Sequence, residues 1–127
     1  PMTTLDLTAS FLEWSGLTPG PELDSRSLAG YMAGHADSHR DAVFSGLSAW
    51  RMAFDGRFKL VRGYDPAQRT GGDSFEPMDM SVEASRLQRE RPQLLLDLEH
   101  NEKDDVSAQH PDAFQRLDAA LDAHLAG

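Results

Sequence analysis

The chain has 127 residues, with 21 acidic and 12 basic side chains and a formal net charge of −9. This charge repels nucleic acid and anionic lipid at long range, so we expect neither nucleic acid nor a membrane as a partner. No cysteine is present, which excludes disulfides, thiolate zinc sites and a cysteine nucleophile.

The N-terminal third of the chain predicts two helices. Residues 5–17 place apolar side chains three or four positions apart from Leu5 to Trp14, which is typical of a helix with one apolar stripe. Gly16 is a natural helix stop. After a loop rich in proline and glycine, residues 27–34 predict a short second helix. We expect Trp14 to lie in the core or in an interface.

The middle of the chain predicts a strand over 41–47 and then a hairpin. The hairpin is WRMAFDGRFKLV, residues 50–61. A two-residue loop at Asp55-Gly56 would spread the apolar residues over both faces, because side chains alternate along a strand. A loop with an odd number of residues and a bulge at a left-handed Gly56 avoids this. We therefore expect one face to collect four apolar side chains: Trp50, Met52, Phe58 and Leu60.

The C-terminal half predicts a loop, a strand and two helices. Residues 65–80 are rich in turn formers and predict an exposed loop. Residues 81–91 predict a short charged helix that ends before Pro92, and residues 94–99 predict a strand. Residues 111–127 have the strongest helix pattern and begin with a proline, which suits the first helical position. Its apolar stripe consists of Phe114, Leu117, Leu121 and Leu125.

The order of these elements favours an α+β fold in a single domain, 1–127. The strands lie too close in sequence for parallel crossovers, so we expect a small antiparallel sheet of about four strands. The C-terminal helix would pack on one face of the sheet, with an N-terminal helix beside it. No apolar run approaches the ~18 residues of a membrane span, and no signal peptide opens the chain. We expect a soluble protein, and its compartment stays open.

The nearest approach to a metal-ligand pair is His35 and His39, which flank Asp37 in the stretch HADSH. Histidines four residues apart can share a metal when they lie on a helix, but Gly34 and the Asp-Ser pair favour a solvated loop. No further ligand is fixed by the sequence, so we expect no metal site, with His35 and His39 as the weak candidates. Neither a Gly-x-Ser-x-Gly elbow nor a phosphate-binding loop is present, so no catalytic residue is predicted.

Five segments, in order, resemble the C-terminal end of the sulfatase family, within the alkaline-phosphatase superfamily. DLTASFLEWSGL, residues 6–17, is similar to a family helix with Asp-Leu, Pro-Thr, Leu-Leu and Leu-Ala-Gly, although an Ala-Ser pair stands where Pro-Thr is usual. LDSRSLAGYMAG, residues 23–34, resembles the family's Asp-Gly-Arg-Ser-Leu stretch, with Ser25 in place of glycine. HRDAVFSG, residues 39–46, resembles the strand that follows.

The fourth and fifth segments lie in the second half of the chain. WRMAFDGRFKLVRGYD resembles a family hairpin of the form Arg-x-x-Arg-x-Gly-x-Tyr-Lys-Leu-Ile, with matches at Arg51, Gly56, Lys59 and Leu60 and with Phe58 in place of tyrosine. LLLDLEHNEKDD is similar to Leu-Tyr-Asp-Leu, Asp-Pro, Glu, with matches at Asp97 and Leu98 but without the Asp-Pro pair. Residues 66–93 match poorly and are expected to be a loop or an insertion.

The resemblance implies that the chain is the C-terminal subdomain of a longer sulfatase-like hydrolase, and Pro1 before Met2 agrees with a cut from a longer protein. Family members hydrolyse sulfate esters, and some relatives hydrolyse phosphate or phosphonate esters. They use a divalent cation (Ca or Mg/Mn) and a formylglycine made in a Cys/Ser-x-Pro-x-Arg motif. That motif does not occur here, and the family's metal ligands lie upstream of the matched region. We therefore expect no cofactor, no catalytic residue and no catalysis from this chain alone.

The expected role is structural, with the catalytic domain of the parent as the partner. Trp50, Arg51 and Tyr64 are the candidates for a contribution to the substrate entrance. The alternative function is a stand-alone acidic interaction module, for which a homodimer formed through the exposed docking face is one option. A further alternative is a small metal-binding protein that uses His35 and His39.

Overall fold

The computed structural model describes residues 1–47, 50–63, 93–100, 102 and 104–126. Internal contacts divide the chain into two compact units, Pro1–Val43 and Phe44–Gly127, and the expected single domain stays a prediction. The loop predicted over 65–80, the helix predicted over 81–91 and Tyr64 lie outside the described residues, as does nearly all of the insertion expected over 66–93. Within the described ranges, no helix combines the length and the apolar character needed to cross a membrane.

The N-terminal unit contains two helices, α1 (Asp6–Trp14) and α2 (Ala29–Met32). Both predicted helices are therefore confirmed, with shorter bounds. α1 ends at the predicted glycine, because Gly16 has a φ of 78° that few other residues adopt. The N–H of Leu17 donates to the carbonyl of Leu12 over 2.9 Å, which closes the helix as in a Schellman motif.

The buried side of α1 is largely polar. Asp6 and Ser10 are fully buried beside Ala9, whereas Leu5 is 58% exposed and Trp14 is 50% exposed. The predicted apolar stripe therefore coincides with the buried side of the helix at Ala9 but not at Leu5 or Trp14. The reason is that the carboxylate and the hydroxyl find hydrogen-bond partners inside the unit, which removes the cost of burying them.

The C-terminal unit is a sheet with a helix on one face. The strands are β1 (Val43–Leu47), β2 (Trp50–Phe54), β3 (Phe58–Arg62) and β4 (Leu94–Asp97), and β1 begins at the last residue of the N-terminal unit. The described residues form a four-stranded antiparallel sheet in the order β1-β2-β3-β4. A short 3-10 helix over Leu98–His100 follows β4, and α3 (Pro111–Ala126) packs against β2 and β3. The predicted α+β fold is confirmed, including the proline at the start of the last helix.

The hairpin between β2 and β3 differs from the prediction. Phe54 pairs with Lys59, and Asp55 N donates to the carbonyl of Phe58 over 3.2 Å, so the loop consists of two residues, Gly56 and Arg57. Gly56 has a φ of 109°, in the region that favours glycine. The Asp55 carboxylate accepts the N–H groups of Arg57 and Phe58 over 2.8 and 2.7 Å. The hairpin therefore has a two-residue loop that the Asp55 side chain stabilises, and the expected loop with an odd number of residues does not form.

This loop separates the four residues that were expected to share a face. Pairing of Met52 with Val61 and of Ala53 with Leu60 places Trp50 and Met52 on one face, and Phe58 and Leu60 on the other. The prediction for these four side chains was therefore wrong. The physical reason is that both faces of the sheet are apolar, so an apolar residue is accommodated on either side.

The inner face of the sheet, which α3 covers, carries the core of the C-terminal unit. Leu60 and Leu95 lie opposite each other on β3 and β4, and with Leu117 and Leu121 of α3 they are fully buried. Two of the four residues predicted for the stripe of α3 are thus in the core, whereas Leu125 is 44% exposed.

Candidate functional site

The substrate-entrance candidates do not form one site. Trp50 and Arg51 are neighbours on β2, so their side chains point to opposite faces of the sheet. Arg51 lies on the inner face, where it lines a cavity of about 260 Å³ with Gly46 and His124. The aliphatic part of the Arg51 side chain packs against Gly46. A Cβ atom added to Gly46 would lie 2.6 Å from Cδ of the arginine. Its Nη1 donates to the carbonyl of Trp50 over 2.8 Å.

The two histidines considered for metal binding are also separated. His35 is exposed, and its backbone N–H donates to the carbonyl of Gly30 over 2.9 Å, which places it in the turn after α2. His39 is buried, with Nε2 3.1 Å from a carboxylate oxygen of Asp6. That contact is an ion pair when the imidazole is protonated, but its geometry is not that of a hydrogen bond. Among the described residues, no group of three or more potential ligands could hold a metal ion.

Asp6 is the centre of the N-terminal unit. Its carboxylate is fully buried and accepts the backbone N–H groups of Thr3 and Arg26 over 2.9 and 2.8 Å. The guanidinium of Arg40 donates to both carboxylate oxygens through Nε and Nη2. These charged hydrogen bonds, the one from Arg40 above all, hold the pKa of Asp6 far below its usual range although burial acts in the opposite direction. Asp6 is therefore a permanently ionised anchor and cannot donate a proton near neutral pH.

Ser10 extends this anchor by one helical turn. Its hydroxyl donates to the carbonyl of Asp6 over 2.6 Å and accepts the backbone N–H of Leu28 over 2.9 Å. Asp6 and Ser10 thus fasten the backbone of Arg26 and Leu28 to α1. These contacts join the first two segments of the resemblance, DLTASFLEWSGL and LDSRSLAGYMAG, through residues that lie 18 and 20 positions apart.

Asp97 is a buried carboxylate of the C-terminal unit that pairs with an arginine, as Asp6 does in the N-terminal unit. It is 1% exposed and accepts hydrogen bonds from Nε and Nη2 of Arg57 over 3.4 and 3.0 Å. The N–H of Glu99 and Nδ1 of His100 also lie 3.0 and 2.9 Å from its oxygens. The guanidinium of Arg57 is the main reason why the pKa of Asp97 lies well below its usual value. This contact joins the hairpin to the last strand, which are the fourth and fifth segments of the resemblance.

The outer face of the sheet is apolar. The side chains of Trp50, Met52, Val61, Leu94 and Leu96 surround a shallow depression of about 360 Å³ together with Lys59. The residues that form this outer face are half-buried. Of the described residues that line the depression, Lys59 alone is charged, and its ammonium lies 2.5 Å from the carboxylate of Glu102. The outer face is therefore suited to contact with another apolar surface rather than to chemistry.

A second apolar surface belongs to α1. Phe11 is 59% exposed, and its ring lies 5.8 Å from that of Trp14 in an edge-to-face arrangement. Leu5 and Leu17, at the two ends of the helix, are each 58% exposed. We refer to Phe11 and Trp14 as the aromatic pair. All residues from 1 to 47 are described, and no part of the N-terminal unit covers this pair.

The described residues bury two carboxylates, those of Asp6 and Asp97. Each is neutralised by an arginine, so neither is available as a general acid or as a metal ligand. Sequence reasoning missed the pairing of Asp6 with Arg40, because the two residues lie 34 positions apart and spacing carries no signal over that distance. Comparison with models of protein families and with curated proteins finds no match for this chain. The resemblance therefore depends on the quoted segments alone.

Proposed function

We propose that this chain is the C-terminal structural subdomain of a sulfatase-type hydrolase, and that a preceding domain carries out the catalysis. The observation that carries the proposal is the exposure of large aromatic side chains on α1. This helix buries Asp6 and Ser10 and exposes Phe11 and Trp14. A helix of a complete globular protein exposes its polar face, so we infer that the aromatic pair packs against another protein surface.

The size of the N-terminal unit supports this inference. Its buried apolar side chains, among the described residues, are those of Ala9 and Leu28. A unit of about 40 residues without disulfides or a metal rarely folds by itself. Exposed tryptophan and phenylalanine bury large areas on contact and commonly dominate the energy of an interface. A preceding domain that covers the aromatic pair would supply the missing apolar burial.

The outer face of the sheet offers a second contact surface. Among the described residues, the lining of the depression around Trp50 and Leu96 includes no acidic side chain. By contrast, the inner face buries Arg62 and Asp97. A sheet with helices or another domain on both faces has this distribution. This surface supports docking to a larger body.

The contacts between matched segments also support the proposal. The resemblance rests on short stretches, and each alone is a weak signal. In the structure, the first stretch is bonded to the second through Asp6 and Ser10, and the fourth is bonded to the fifth through Arg57 and Asp97. Stretches that belong to one ancestral subdomain would be joined in this way.

The chemistry of the parent would come from residues outside this chain. The described side chains do not fit a divalent cation, because the carboxylates of Asp6 and Asp97 are already bonded to arginine. The sequence also contains no precursor motif for formylglycine. Within the proposal, the cation and the formylglycine therefore belong to the preceding domain, and hydrolysis of a sulfate ester takes place there. Trp50 and Arg51 face opposite sides, so at most one of them reaches the substrate entrance.

The proposal is tested with the gene that encodes the chain. Its reading frame upstream of Pro1 should encode a Cys/Ser-x-Pro-x-Arg motif, and the longer protein should hydrolyse an aryl sulfate while the 127-residue chain does not. Replacement of Trp14 by serine should reduce the yield and thermal stability of the longer protein, whereas Thr8→Ala, at an exposed position of the same helix, should leave both unchanged. Turnover by the 127-residue chain, or an upstream frame without the motif, would overturn the proposal.

The second candidate function is a stand-alone acidic interaction module. The aromatic pair and the outer face of the sheet favour it, because exposed apolar surface of this kind promotes self-association. It predicts a dimer of the 127-residue chain in light scattering after gel filtration, and loss of that dimer in Trp14→Ser. A monomer at concentrations of tens of micromolar rules out the homodimeric form of this alternative.

A further inference from the structure

We draw no further inference here: the strongest candidate, the apolar outer face of the sheet around Trp50, Met52 and Leu96, already belongs to the docking surface proposed above, and nothing in the structure shows what else covers it.

Discussion

Leu95 and Leu96 are consecutive residues of β4 that face opposite environments. Leu95 lies opposite Leu60 under α3 and is fully buried, whereas Leu96 lies opposite Lys59 on the outer face and is half-buried. The two leucines have the same chemistry and the same strand. A comparison of substitutions at Leu95 and Leu96 therefore measures how much each face of the sheet contributes to the stability of the fold.

We predict that Leu95→Ala destabilises the chain by about 2–5 kcal/mol, because it removes core contacts and leaves a cavity. Leu96→Ala should cost roughly 1 kcal/mol, since part of that side chain is already in water. The measurement is urea unfolding followed by circular dichroism on both variants. Equal losses of stability would show that the outer face is as well packed as the inner one, and would contradict the face assignment.

The number of strands and the C-terminal helix could be predicted from the sequence, but the face of each strand residue could not. The prediction assumed that apolar residues of a hairpin belong on one side. In β2 and β3 they occupy both sides, with Ala53 and Leu60 inside and Met52 and Val61 outside. Alternation alone does not distinguish a sheet with one apolar face from a sheet with two.

Gly56 provides a test of the loop itself. Gly56→Ala should destabilise the chain by about 1–2 kcal/mol, because a side chain at a φ of 109° is strained. Gly30→Ala is the matched control: Gly30 lies in α2, outside the positive-φ region, and an added Cβ meets nothing within 4 Å. That control should be neutral or slightly stabilising. Thermal unfolding of both variants makes the comparison, and a neutral Gly56→Ala would contradict the positive φ of Gly56.

The contacts of Asp6 predict that a substitution of nearly equal size at this position lowers the stability of the chain strongly. Asp6→Asn keeps the size of the side chain but removes the charge that Arg40 pairs with, which should cost about 3 kcal/mol. Fluorescence of Trp14, measured in a Trp50→Phe background, reports the unfolding of the N-terminal unit. Asp37→Asn is the control, because Asp37 is exposed, and it should change stability by less than about 0.5 kcal/mol. A variant at Asp6 that is as stable as this control would show that the anchor is dispensable.

The same anchor predicts a dependence of stability on pH. The pKa of Asp6 is lowered in the folded chain, whereas an unfolded aspartate has a pKa of about 3.9. The unfolded state therefore binds the proton more readily. The stabilisation is complete above roughly pH 5 and is lost progressively as the pH falls through 4 towards the folded pKa. Urea titrations between pH 3 and 7 should show this loss in the wild type and a shallower slope in Asp6→Asn, and parallel slopes would refute the assignment.

The sequence indicates that Asp6 and Ser10 share one side of α1, but it does not indicate their hydrogen-bond partners. Asp6 and Ser10 are one helical turn apart, on the side of α1 that also carries Ala9, which marks a polar strip on an amphipathic helix. The partners of the Asp6 carboxylate, Arg26 and Arg40, lie in loops whose path depends on the whole unit. Local periodicity predicts which residues share a face, but it does not predict which distant arginine satisfies a buried carboxylate.

Arg62 leads to the last prediction, because it is a buried cation held by two acids. Its side chain is about one-tenth exposed, and Nη1 donates to Asp118 and Asp122 of α3 over 2.7 and 2.8 Å. Its Nε is buried without a hydrogen-bond partner. Replacement of Arg62 by methionine leaves two carboxylates one helical turn apart without their cation, so we expect a loss of about 2 kcal/mol.

The triple variant Arg62→Met, Asp118→Leu and Asp122→Ala distinguishes two free energies. One is the loss of stability when the aspartates lose their cation, and the other is the net contribution of the intact ion pairs to folding. The triple variant removes all three charges and fills the space with apolar groups, so it should recover most or all of the wild-type stability. Urea unfolding of the wild type, the single variant and the triple variant gives the comparison. A triple variant that is no more stable than Arg62→Met would contradict this expectation. Arg62 would then stabilise the chain through the packing of its aliphatic stem against the core, and its ion pairs with the two aspartates would not contribute to stability.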